Sequence, residues 1–67
     1  MSKLKEKTLK QIRNSKICKA KLQIALNKSA PTIQRYLDEN NIMLTTITAL
    51  TVISQEINID VTDLCEN

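Results

Sequence analysis

The side chains with chemistry to offer are ten lysines and arginines, seven carboxylates and two cysteines, with no histidine among 67 residues. Lacking histidine, the chain has neither the commonest general base nor the commonest metal ligand. Cys18 and Cys65 stand 47 positions apart, match no zinc spacing and have no imidazole to complete a tetrahedral set. They read as two reduced core thiols in preference to the one disulfide that two cysteines would allow. Glycine is absent as well, so no glycine loop can cradle a phosphate. These omissions predict no enzyme, no metal, no cofactor and no small-molecule substrate.

What remains is charge, and it is divided along the chain. All ten basic residues lie at or before Arg35, where only Glu6 opposes them, so residues 1–35 carry +9. Beyond Arg35 there are six acids (Asp38, Glu39, Glu56, Asp60, Asp63 and Glu66) and no base, a net of −6. A chain split this way has one face suited to a polyanion and another unsuited to it. The lysines before Leu9 could form a merely solvated helix face. Lys19, Lys21, Lys28 and Arg35 are spread over further elements, and together they point to nucleic acid.

The elements that position these residues are short. Sixty-seven residues fit one domain, 1–67, with a thin stability margin, since a chain this small buries roughly 60% of its unfolded surface. No apolar run reaches the ~18 residues of a membrane span, and the basic start has no apolar segment behind it, which predicts a soluble cytoplasmic domain. Without glycine, asparagine is the residue left to close helices in the left-handed conformation. Asn14, Asn27, the Asn40-Asn41 pair and Asn58 divide the chain into five segments.

Each segment carries a helical signal. The first spaces Leu4, Thr8, Leu9 and Ile12 helically; the second follows the cap Ser15 and stacks Leu22, Ala25 and Leu26. The third opens Ser29-Ala30-Pro31, a cap with proline in the first turn, and turns Ile33, Tyr36 and Leu37 inward. The fourth follows Thr45 or Thr46 and aligns Ile47, Leu50, Ile53 and Ile57. The fifth, from the cap Asp60 with Asp63 three residues on, buries Val61 and Leu64. Seven of the nine residues from Thr45 to Ile53 are β-branched, which favours a strand, with a small C-terminal hairpin as the alternative. The three-residue spacing of positions 47, 50 and 53 favours helix, and an all-α fold is expected.

Segments two and three are joined by Asn27, Lys28 and the cap Ser29, a turn so short that the two helices must cross steeply. Leu22, Leu26, Ile33 and Tyr36 follow the apolar spacing of a helix-turn-helix. At these residues the chain resembles the Cro and phage-repressor type helix-turn-helix (XRE-like) proteins. The resemblance runs from Lys19 to about Cys65, on Leu22-Gln23-Ile24-Ala25-Leu26-Asn27 leading into Ser29-Ala30-Pro31-Thr32-Ile33, and on a second block from Ile53 to Leu64. It implies a compact five-helix domain that binds operator DNA, usually as a dimer, to regulate transcription. The sequence departs from the family at Gln23, where a small residue is usual, at Asn27 in place of the turn glycine, and at Lys28, where an apolar residue is expected. It departs again at Leu37, where an acid often pairs with a base of the first helix; Arg13 is then left with Asp38 or solvent.

The resemblance implies that segment three, about 30–39, enters the major groove. Ala30, Pro31, Thr32, Gln34 and Arg35 then face bases, with Arg35 able to bridge two acceptors on guanine and Gln34 suited to adenine. Lys19, Lys28, Ser29 and Asn41 are expected at phosphates, although capping is also a natural role for Asn41. The implied partners are double-stranded DNA and a second copy, at least on DNA, with Ile42, Met43, Ile59 and the end at Asn67 as candidate dimer surfaces. The alternative is a protein-interaction module of helix-turn-helix descent, antirepressor or antitoxin-like, docking through its acidic, isoleucine-rich half.

Overall fold

The computed structural model describes residues 3–66. A short strand β1 (Lys3–Leu4) leads into α1 (Glu6–Arg13), α2 (Lys16–Leu26), α3 (Ala30–Glu39), a 3-10 turn over Ile42–Thr45, α4 (Ile47–Ile57), a second 3-10 turn over Val61–Asp63, and β2 (Cys65–Glu66). β1 and β2 pair antiparallel, Lys3 opposite Glu66 and Leu4 opposite Cys65. No helix is long and apolar enough to cross a membrane among these residues.

Capping follows the residues that suit it. The hydroxyl of Ser15 accepts from the Cys18 N–H at 3.1 Å, and those of Ser29 and Thr46 accept from Thr32 and Ala49. Pro31 lies in the first turn of α3, where a missing N–H breaks no bond. Asn27, Asn40 and Asn58 close α2, α3 and α4 with φ of 54°, 51° and 56°, the left-handed region that L-residues other than asparagine and aspartate enter at a cost. Asn14 differs: its φ of −86° is ordinary, because the next residue, Ser15, starts α2 and the chain turns without a left-handed step.

α4 resolves the conflict over residues 45–53 in favour of helix. Thr46 caps it, Ala49 and Ile53 bury its inner face, and the Thr51 hydroxyl donates to the Ile47 carbonyl at 2.8 Å, so its Oγ1 is satisfied within the helix. The inner face is offset from the expected stripe: Ile47 is 85% exposed, Leu50 and Ile57 are half-buried, and Ala49 is fully buried. Small Ala49 lets α4 approach α2, its main packing partner.

Two further expectations are corrected. Leu4 is no part of a helix; it is a fully buried residue of β1, and α1 starts after it at Glu6. The fifth helix is a single 3-10 turn, leaving four α-helices among the described residues. Asp60 accepts from the Thr62 N–H, and i→i+3 bonds join Asp63 to Asp60 and Leu64 to Val61. The Leu64 carbonyl is then taken by the Lys5 N–H and the Thr8 hydroxyl, both at 3.0 Å, which ends the turn and aligns β2 with β1. Leu64 is buried as expected, while Val61 is 41% exposed. The core also takes in Leu9, Ile12, Cys18, Leu22, Ile33, Tyr36, Leu37 and Leu44.

Candidate nucleic-acid interface

α2 and α3 are separated by Asn27, Lys28 and Ser29, and the turn is held at both ends. The Lys28 N–H returns to the Gln23 carbonyl at 2.9 Å while Asn27 takes the left-handed conformation. Ser29 then opens α3, and its Oγ lies 2.9 Å from the Thr32 hydroxyl. Leu22 from α2 and Ile33, Tyr36 and Leu37 from α3 bury the inner faces. The outer faces enclose an open groove of about 260 Å³ lined by Lys16, Lys19 and Gln23 of α2 and Ala30, Ile33 and Gln34 of α3.

The groove is electropositive. Among the described residues, the cations with a carboxylate within reach are Arg13, 3.9 Å from Glu6, and Lys21, 2.6 Å from Glu56. Lys16, Lys19, Lys28 and Arg35 have no such neighbour in these residues, so the charge along α2, the turn and α3 is not cancelled locally. Arg35 is exposed, with its guanidinium 5.9 Å from the Tyr36 ring centre, a contact on the order of 0.5–1 kcal/mol at an exposed site.

Of the nine residues singled out from the sequence, Lys19, Ala30 and Gln34 line the groove, and Pro31, Arg35 and Lys28 are exposed beside it. Gln34 donates to Asp38 at 3.1 Å, an exposed bond one turn along α3 that would have to open before the amide could read a base. Ser29 and Thr32 spend their hydroxyls on the cap. Asn41 is more fully engaged: its amide donates to Glu39 and its Oδ1 accepts from the Met43 N–H, so it caps the 3-10 turn. Lys16 and Gln23 were not anticipated. Their signal was the spacing of 16, 19 and 23, which shares one helix face, and the long Gln23 side chain lies in the groove where a small residue would leave it open.

α3 is anchored from behind. The Arg13 guanidinium donates to the Leu37 carbonyl at 3.1 Å, placing a cation at the negative end of the α3 dipole. This replaces the expected pairing with Asp38 or solvent. The Asn40 amide donates to the Leu4 carbonyl at 3.1 Å, tying the end of α3 to β1. The thiols lie away from this interface. Cys18 is fully buried, and burial, with the Glu56 carboxylate adding to it against a pull from Lys21, pushes its thiol up to about 11; burial also raises half-buried Cys65, against Lys5. Neither cysteine is in a disulfide.

Compared with protein families, with curated proteins and with solved structures, the chain matches none.

Proposed function

We propose that this chain is a sequence-specific DNA-binding transcriptional regulator of phage or mobile-element type, with α3 as its recognition helix. The observation that carries the reading is the electropositive groove between α2 and α3, beside which Ala30, Pro31, Gln34 and Arg35 stand exposed on the free face of a capped helix. Lys16, Lys19 and Lys28 attract and orient the phosphodiester backbone, and Arg35 reads guanine with its two donor edges. The resemblance to the Cro and phage-repressor proteins supports the same assignment. One copy measures 28 × 22 × 20 Å, less than the ~34 Å between successive major-groove half-sites, so each copy covers one half-site and two copies act together.

The test is a fluorescence-anisotropy titration against the DNA flanking the protein's own gene and against a scrambled duplex, each at two salt concentrations. Six lysine–phosphate contacts in a dimer predict that affinity falls about a thousandfold between 50 and 200 mM salt. Arg35→Ala is expected to weaken binding to the native duplex by about 1–3 kcal/mol while scarcely changing binding to the scrambled one. Equal weak binding to both duplexes would refute the reading and turn attention to a protein partner, for which exposed Ile24 and Ile47 are the supporting feature.

A further inference from the structure

We propose that a second copy of this chain docks on the corner formed by Ile42, Met43 and Ile47. These side chains are 51%, 37% and 85% exposed. They fall within a stretch from Asn40 to Gln55 that has no charged residue, in a chain that is 25% charged. The corner is folded on itself: the Thr45 hydroxyl donates to the Ile42 carbonyl at 2.7 Å and that of Thr46 to the Met43 carbonyl at 3.1 Å. Backbone acceptors next to the apolar side chains are thereby satisfied, so covering them costs little desolvation.

The lack of charge decides the occupant. A two-fold dimer presents the same patch from both sides, so any net charge on it meets its like. In a molecule split +9 against −6, an uncharged apolar corner is where two identical copies approach without that penalty. The other strongly exposed isoleucines, Ile17 at 64% and Ile24 at 82%, are on α2 with Lys16, Lys19 and Lys21, and pairing that face would bring lysines together. The corner is small beside the ~800 Å² per partner of a standard interface, so the dimer is weak in free solution and tightens where DNA aligns two copies. The inference deepens the dimeric operator reading, but its solution arm needs no DNA.

Sedimentation equilibrium of the full chain without DNA, from ~20 μM to ~1 mM as suits a small, weak interface, is expected to show the mass rising from 7.6 kDa toward twice that value. Ile47→Glu should weaken association at least tenfold; a carboxylate at the first residue of α4 favours the helix, so the fold is retained and circular dichroism verifies it. Ile24→Glu is the matched control, equally exposed, and should leave association unchanged. A monomer at every concentration overturns the proposal, as does association that Ile47→Glu leaves intact or that Ile24→Glu weakens as much. Salt-steep operator binding by a chain that never dimerises would sink this inference and spare the DNA reading, and a dimer indifferent to DNA would do the reverse.

Discussion

Asn40 does two jobs that can be separated by substitution. Its backbone closes α3 at φ 51°, as Asn27 and Asn58 close α2 and α4, but its side chain is half-buried and its amide donates to the Leu4 carbonyl. Glycine takes the left-handed conformation freely, and the strain it relieves is offset by about 0.4–1 kcal/mol of added freedom in the unfolded chain. Asn27→Gly and Asn58→Gly should therefore change stability by no more than about 0.5 kcal/mol. Asn40→Gly also loses a hydrogen bond with a net contribution of about 1 kcal/mol and takes from Leu4 its side-chain donor, at a further cost. The buried Asn40 Oδ1 has no hydrogen-bond partner, and its removal recovers part of that loss. The net expectation is about 1–2 kcal/mol of destabilisation, a fall in Tm on the order of 5–15 °C for a domain this size. Asn40→Asp, which puts a carboxylate against a carbonyl oxygen, should cost more than glycine. Thermal unfolding followed by circular dichroism measures all four variants. If Asn40→Gly lies within 0.5 kcal/mol of Asn27→Gly, taken as the practical resolution of such ~1 kcal/mol comparisons, the side-chain tether does not stabilise the fold and this reasoning is wrong.

Two other perturbations test the interior. Thr8 is 2% exposed and its hydroxyl donates to the Leu64 carbonyl, which also accepts from the Lys5 N–H; Thr8→Val should cost about 0.5–1.5 kcal/mol in urea unfolding, and a variant as stable as the parent contradicts that bond's role. Cys18 has its thiol raised from 9.0 to about 11, so the folded state favours the protonated form. Its contribution is complete below pH 9 and is lost as pH rises through 11. The stability of the parent relative to Cys18→Ala should therefore fall by up to about 2 kcal/mol between pH 8 and pH 10.5, whereas parallel pH profiles would show that the thiol is not held protonated.

The parts of this protein legible in the sequence are those with local causes. Ser15 and Ser29 cap the helices they precede, and Asn27, Asn40 and Asn58 close them left-handed, because each choice depends on a few neighbouring residues and on the lack of glycine. The span of α3, its buried Ile33, Tyr36 and Leu37, and its exposed Arg35 follow from helical period alone. Tertiary structure decided the rest. Whether Ile47 or Ala49 faces inward depends on how closely α4 must approach α2, which no local pattern contains. Residues 61–63 stop at one 3-10 turn because the Leu64 carbonyl finds its donors 56 and 59 positions away, in Thr8 and Lys5. Arg13 reaches the Leu37 carbonyl, Asn40 reaches Leu4, and Lys16 joins Gln34 in one groove for the same reason. Caps and periods are satisfied by residues a turn apart, whereas these partners are chosen only when the helices close around a common core.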